Sequence, residues 1–373
     1  MRDPSLYVHI PFCETKCPYC DFNSFAVAGR DVDGYLDALS RECDARGLPR
    51  DPATIFIGGG TPTVVEPRQL ERYLAGLLRD VRPDASREFT VEANPGSLTA
   101  EKVGILRSFG VNRLSIGAQS FFDRHLRTLG RVHGAAQIEE AYGLARDGGI
   151  EQVNLDFIFA VPGLTVREWV ETLARAAALG PDHLSCYALI FEPGTEFFAR
   201  RAAGSMRPAD ERVELAMFRL TERVLRRRGY LRYEISNFAR PGRECRHNLV
   251  YWRNESYLGV GAGAHSHLGG ERLANERNLA RYAASVRERG DAIVMRERLS
   301  AEGAAREAVV LGLRTAEGVD LDRVARRYGI DVERLFGATV RRMRQGRFVE
   351  PSGNLRLARR GWRVADEVMA ALV

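Results

Sequence analysis

Lysine is nearly missing: Lys16 and Lys102 are the only two among 55 basic residues, and the remaining positive charge is arginine. Those arginines are interleaved with 49 acidic residues rather than gathered in a tract. The net charge of +6 therefore lacks the patchiness that marks a nucleic-acid surface, and no nucleic-acid partner is expected. Long apolar runs are also absent. Nothing approaches the ~20 uninterrupted apolar residues of a membrane span, and the start "MRDPSLYVHI" lacks the charged-then-apolar pattern of a secretory signal. A cytoplasmic location is expected. Cysteine is sparse, with Cys43, Cys186 and Cys245 standing singly, which excludes a disulfide framework and predicts reduced thiols.

The other three cysteines are crowded together. Cys13, Cys17 and Cys20 lie in "YVHIPFCETKCPYCDFNSF", just beyond an apolar β-type run. Further β-type runs follow at "TIFIGG", "EFTVEANP", "NRLSIG", "QVNLDFIF" and "HLSCYALIF". Helical periodicity occupies segments near 31–47, 66–80, 99–109, 121–128, 134–148 and 166–179 between them. Alternating β and α units of this length predict an α/β fold, a parallel sheet with helices outside. Six units rather than eight leave the barrel incomplete. Ligands in such folds gather at the carboxyl ends of the strands.

Three thiols at such a strand end admit two readings. Adding His9 makes a Cys3His zinc site, although His9 falls inside the first strand. A cubane iron–sulfur cluster ordinarily takes four cysteines, so three leave one iron open to another ligand. The amino and carboxylate groups of S-adenosylmethionine can chelate such an iron, and an electron from the cluster then starts radical chemistry. The run "GGGTPT" ends the next strand, where glycines are expected to let the backbone approach a ligand and donate N–H bonds to it.

Cys-x3-Cys-x2-Cys after a first strand, with Tyr19 before the last cysteine, resembles the radical S-adenosylmethionine superfamily. The likeness extends along nearly the whole chain: "YVHIPFC", "GGGTPT", "EANP", "NRLSIGAQSF", "LGRVH", "NLDFIF", "EPGT" and "YEISNFARPG" are similar to the oxygen-independent coproporphyrinogen III oxidase family and its relatives. That resemblance implies a (βα)6 partial barrel with a 4Fe-4S cluster on Cys13, Cys17 and Cys20. It also implies S-adenosyl-L-methionine contacts at Tyr7, Gly59, Gly60, Thr61, Glu92, Gln119, Arg131 and Asp156. Carboxylates there can receive the ribose hydroxyls or the ammonium, and an arginine can pair with the cofactor carboxylate.

Two departures set the chain apart from the oxidases proper. Phe22 stands where they resemble one another in a further cysteine, and their extension ahead of the barrel is not seen before Tyr7. Coproporphyrinogen III oxidase activity is accordingly not expected. Instead "HNLVYW" at 247–252 is similar to the pattern of the family's heme-chaperone branch. That branch implies heme binding and transfer to apo-hemoproteins such as respiratory heme enzymes, and leaves peripheral association with a membrane open. His247 is the candidate iron ligand there, with Tyr251 and Trp252 covering a porphyrin face and Arg246 and Arg253 flanking it. Cys245, His265 and His267 are rival ligands.

Past about residue 298 the pattern turns helical, and "RFVEPSGNLRLARRG" reads as a hairpin with its turn at Pro351 to Asn354. The expected division is a radical-SAM barrel over 1–200, a heme-motif region extending it over 201–298, and a winged-helix-like domain over 299–373. Two other functions compete with the chaperone: a radical enzyme acting on a porphyrin, and a zinc-bearing DNA-binding regulator.

Overall fold

The computed structural model describes residues 3–373. All six expected β runs form strands: β1 (Ser5–Ile10), β2 (Thr54–Gly59), β3 (Glu88–Ala93), β4 (Arg113–Gln119), β5 (Gln152–Phe159) and β6 (His183–Ala188). They lie side by side in chain order and pair in parallel. The connecting helices are α1 (Val32–Arg46), α2 (Pro67–Leu78), α3 (Ala100–Ser108), α4 (Asp123–Thr128), α5 (Ala135–Asp147) and α6 (Val166–Leu179). Local chemistry fixes their ends. Thr99 and Thr165 accept from the backbone three residues on, and Glu168 completes a capping box with Thr165, each satisfying donors that a helix start leaves orphaned. Gly180 ends α6 in the left-handed region.

Strand alternation divides the sheet into two faces. Leu6, Val8 and Ile10 of β1, Ile55 and Ile57 of β2, Val91 of β3, and Leu114 and Ile116 of β4 are buried in the core shared with the helices. The opposite positions carry Tyr7 and His9, Thr90 and Glu92, Ser115, Asn154 and Asp156. Register brings these into rows, Glu92 beside Ser115 and Asp156 beside Ser185. The barrel interior is therefore polar, and its groups bond one another: Asn154 donates to Ser115 and Asp156, and accepts from Ser185.

The chain beyond Ala188 first adds α7 (Glu196–Ala202) and α8 (Glu211–Arg227), then builds both edges of the sheet. On the β6 side, β7 (Leu231–Arg232) and β8 (Asn237–Ala239) pair antiparallel. After α9 (Arg246–Trp252), strand β9 (Tyr257–Val260) joins β1 in parallel, and β10 (His265–Leu268), β11 (Glu271–Asn275) and β12 (Ile293–Arg298) continue as an antiparallel meander, with α10 (Leu279–Arg289) before the last. The resulting 12-stranded sheet runs from β12 to β7 without closing, so the barrel is partial. Helices α11 (Ala301–Leu313), α12 (Leu321–Tyr328), α13 (Ala338–Gln345) and α14 (Ala365–Ala370) surround a second apolar cluster containing Val309, Phe336, Val340 and Leu357. The expected hairpin there is reduced to single bridges, Val349 with Leu357 and Val319 with Leu355.

One buried carboxylate joins the meander to α1. Glu42, 0 % exposed, accepts from Tyr282 Oη at 2.6 Å, Asn275 Nδ2 at 2.7 Å and the Gly261 N–H at 2.8 Å, with Arg46 at 3.4 Å. Removing it leaves the Tyr282 hydroxyl and the Gly261 N–H without an acceptor, while Arg46 keeps the Gly259 carbonyl and Asn275 the Gly261 carbonyl. Glu42→Ala should cost about 3–5 kcal/mol, and Glu42→Gln distinctly less, because the amide oxygen still accepts. Urea unfolding midpoints of the two variants provide the measurement; equal midpoints for Glu42→Ala and the parent would show the network to be dispensable.

Candidate functional site

The loop after β1 carries the three cysteines and is folded back by its own backbone. Phe12–Cys13 pairs in parallel with Phe25–Ala26, and the Cys20 N–H bonds to the Cys17 carbonyl at 3.0 Å. Buried Phe12 anchors the loop edge-on against Tyr35. Each thiol is half-buried at the mouth of the barrel with a polar side chain beside it: Cys13 Sγ with Thr61 Oγ1 at 3.7 Å, Cys17 Sγ with Arg131 Nη1 at 3.5 Å, Cys20 Sγ with Ser24 Oγ at 3.8 Å. Burial pushes the Cys13 and Cys20 thiols up from their ordinary values. Metal binding there must release protons.

Among the described residues, no three His, Cys, Asp or Glu side chains converge on a point where one ion would sit. A tetrahedral zinc needs that convergence, since Zn–S bonds of 2.3 Å bring sulfurs within roughly 4 Å of each other. A cubane places its ligands on separate irons, so its thiolates need not meet at one point. The zinc alternative also loses His9, whose Nδ1 meets Tyr7 Oη and whose Nε2 meets the Asn23 carbonyl, both at 2.9 Å.

The glycine run does something other than expected. Its N–H groups are already used: Gly59 donates to Glu92 Oε2 at 3.0 Å, Gly60 to the Ile10 carbonyl at 3.0 Å and Thr61 to the Phe12 carbonyl at 2.7 Å. The requirement for glycine is steric. A Cβ on Gly60 would lie 2.5 Å from the Phe12 carbonyl oxygen, and one on Gly59, whose φ is 101°, 2.2 Å from the His9 ring. The run lets β2 press against the cysteine loop.

A cleft of about 380 Å³ opens beside the thiols. Gly59, Gly60, Thr61, Glu92, Gln119, Arg131 and Asp156 all line it. Arg131 bonds Asn94 Oδ1 and the Gly117 carbonyl, and its buried Nε finds no partner among the described residues. A buried guanidinium N–H with nothing to donate to suits an anionic group arriving from the cleft. Gln119 closes β4 with φ of 63°, a conformation that non-glycine residues adopt rarely and often at binding sites. Asn94, which also donates to Thr61 Oγ1, was not singled out by the sequence; its signal was the polar end of "EANP".

Tyr7 lies elsewhere. With His9, Tyr251, Tyr257, His265 and Arg277 it lines a second cavity of about 340 Å³, and Phe22, Gly59 and Glu92 border both, making one cleft with two ends. The "HNLVYW" residues part company. His247 is 0 % exposed, bonded through Nδ1 to Thr54 Oγ1 at 2.7 Å and through Nε2 to Tyr251 Oη at 2.9 Å. Only Tyr251 reaches the second cavity. Trp252 faces the C-terminal helices, under the Arg314 guanidinium at 4.6 Å. Cys245 is buried against Glu88, and burial pushes its thiol up to about 12.

Burial, then the charge of Asp156, pushes the Glu92 carboxyl up to about 8, although part of it borders the cleft. An unfolded glutamate ionises near 4.3, so between about pH 4 and pH 8 the unfolded chain sheds a proton that the fold keeps. This group's contribution to stability is complete below the unfolded value and is lost as pH rises through the folded one. Glu92→Gln should therefore flatten the decline in ligand-free stability between about pH 5 and pH 8. A difference from the parent that is constant across that range, in urea titrations, would show Glu92 ionised in the fold.

Residues 7–176 match the radical SAM superfamily model and residues 299–364 the HemN C-terminal domain. The heme chaperone HemW of Bacillus subtilis (strain 168) is 38 % identical over 375 residues, spanning 99 % of both chains. HemW of Escherichia coli (strain K12) is 41 % identical over 267 residues, 70 % of this chain and 69 % of that one. Among solved structures, the radical SAM enzyme coproporphyrinogen III oxidase, HemN, of Escherichia coli superposes with a TM-score of 0.87 at 26 % identity, covering 100 % of this chain and 90 % of its own. A partial radical-SAM barrel, a HemN-type C-terminal domain and likeness to the Bacillus subtilis chaperone along the whole chain together mean that the chain belongs to the HemW family.

Proposed function

We propose that this protein binds heme and passes it to apo-hemoproteins such as respiratory heme enzymes in the cytoplasm, with a 4Fe-4S cluster and S-adenosylmethionine held alongside. The observation that carries the reading is the two-ended cleft: thiols at one end, an aromatic cavity at the other, with Phe22, Gly59 and Glu92 common to both. Cys13, Cys17 and Cys20 would hold the cluster. When bound, cluster and S-adenosylmethionine together supply one-electron cleavage of a sulfonium. Arg131 offers its unpaired Nε–H to a carboxylate, while Glu92 and Asp156 accept from hydroxyl or ammonium groups. Tyr251 and Tyr257 present apolar ring surface to a porphyrin face.

Phe22 favours cargo over catalysis. It is 62 % exposed, carries no metal-binding atom, and stands between the two ends of the cleft where the oxidases resemble one another in a cysteine. The likeness to HemN over the whole chain supports the second reading, a radical enzyme acting on a porphyrin. Among the described residues no helix is long and apolar enough to cross a membrane.

Anaerobic reconstitution separates the readings. The reconstituted chain should contain iron and sulfide, lose both when Cys13, Cys17 and Cys20 are changed to alanine, retain heme through gel filtration, and form no vinyl product from coproporphyrinogen III. Phe22→Cys alone should not create that activity. Vinyl formation at the rate of an authentic oxidase would defeat the chaperone reading, and a colourless, zinc-filled protein would defeat the cluster assignment.

A further inference from the structure

Building on the heme-chaperone reading, we propose that the heme iron is ligated by His265 at the aromatic end of the cleft, and that His247 serves instead to position Tyr251. His265 is the first residue of β10, exposed, and its imidazole makes no hydrogen bond among the described residues. It borders the cavity of about 340 Å³ together with Tyr7, Tyr251 and Tyr257. That volume lies within the ~300–1,000 Å³ common for ligand pockets, and it opens into the adjoining cleft, leaving room for a planar ligand with one edge in solvent.

The other candidates are engaged. His247 would have to surrender Thr54 and Tyr251 and leave a stack 5.1 Å from the Phe56 ring. It also belongs to a helix whose first N–H groups, of Arg246 and His247, are held by the buried Glu88 carboxylate at 2.8 and 2.9 Å. Both ring nitrogens of His9 are bonded, and His267 meets the Glu255 carbonyl at 3.3 Å outside the cavity. What His247 does is hold Tyr251, whose ring meets Tyr257 edge-on at 4.7 Å to form one wall.

Charge and neighbours complete the site. Partial desolvation of its ring against the cavity wall, then the nearby Arg277 guanidinium, lower the His265 pKa and favour the neutral imidazole that binds iron. Arg277 is exposed at the rim, and among the described residues its side chain has no acid partner, so it is available to a propionate. Asn23 fastens this end to the cysteine loop: its amide donates to the carbonyls of Ala262 at 2.9 Å and Arg277 at 3.0 Å. Only two residues, Asp21 and Phe22, separate Asn23 from Cys20. An exposed ligand on a strand can be exchanged for an acceptor's own ligand without unfolding anything, which a histidine sealed beneath the sheet cannot do.

The test is a heme titration of the cluster-loaded full chain and its variants, followed by the Soret band, with iron and sulfide content checking that each variant is folded. His265→Ala should shift the Soret band and weaken heme binding at least about tenfold, and added imidazole should restore the spectrum. His247→Ala should keep the parent's Soret position. Should it fail to fold, Tyr251→Phe, which removes only the hydroxyl bonded to His247, should likewise keep it. Arg277→Ala should weaken heme but not heme dimethyl ester. A parent-like spectrum and affinity in His265→Ala, or a Soret shift confined to His247→Ala, would overturn the assignment while leaving the chaperone reading intact. Failure of the parent itself to bind heme would remove both.

Discussion

The barrel's inner face depends on one buried carboxylate, Glu88. From the first residue of β3 its two oxygens accept the N–H groups of Arg246 and His247, and the Cys245 thiol donates to one of them. Charge-assisted bonds to otherwise orphaned helix-start donors contribute roughly 1.5–3 kcal/mol each. They seat α9 beneath the sheet. Arg113, which is buried and registers with Thr90 on the neighbouring strand, supplies the compensating positive charge. With α9 fixed, His247 reaches Thr54 on one side and Tyr251 on the other. Strand alternation then carries the same face of β3 from Glu88 at the floor through Thr90 to Glu92 at the mouth. One strand thereby closes the bottom of the barrel and lines the cleft at its top.

The six parallel strands were legible because burial on both sides makes them compact, mostly apolar runs punctuated by helices with recognisable caps. Edge strands of two and three residues, β7 and β8, are too short to show a period, and β12 mixes apolar and charged residues on an exposed edge. Within the helical C-terminal region, "DVERLFGATVRRMRQG" contains a π-helical turn at Glu333–Gly337, which periodicity cannot register. In the site, spacing revealed the thiols and the polar strand ends. It could not reveal where backbone N–H groups go, and so the glycine run was misread. Nor could it give the face of α9: His247 and Tyr251 are one turn apart and touch, whereas Trp252 points about 100° away, toward the C-terminal helices.

The two ends of the cleft are mechanically linked. Asn23 lies between Cys20 and the short strand at Phe25–Ala26, and its side chain holds the backbone of the Gly261–Ala264 turn. Gly263, with φ of 78°, could not carry a Cβ there, since the atom would lie 2.7 Å from Asn23 Nδ2. From the other side Glu42 and Tyr35 bond the Gly261 and Ala262 N–H groups. Ordering the cysteine loop on a metal centre would therefore also order the turn that leads into His265. The cysteine loop and the wall of the aromatic cavity share one set of hydrogen bonds.

The C-terminal unit bears on the same floor from below. Arg327 donates to the carbonyls of Arg253 and Asn254 just beyond α9, and Arg314 covers Trp252. At the sheet edge the Arg232 guanidinium lies against Phe218, Phe238 and Trp362 at 4.4, 5.1 and 5.3 Å, joining β7 to the residues before α14. Because the sheet does not close, no strand pairing joins β7 to the strands on the β1 side. The arginine and ring contacts tie that edge and the end of α9 to the C-terminal helices instead, on the side of the sheet away from the mouth where the thiols lie.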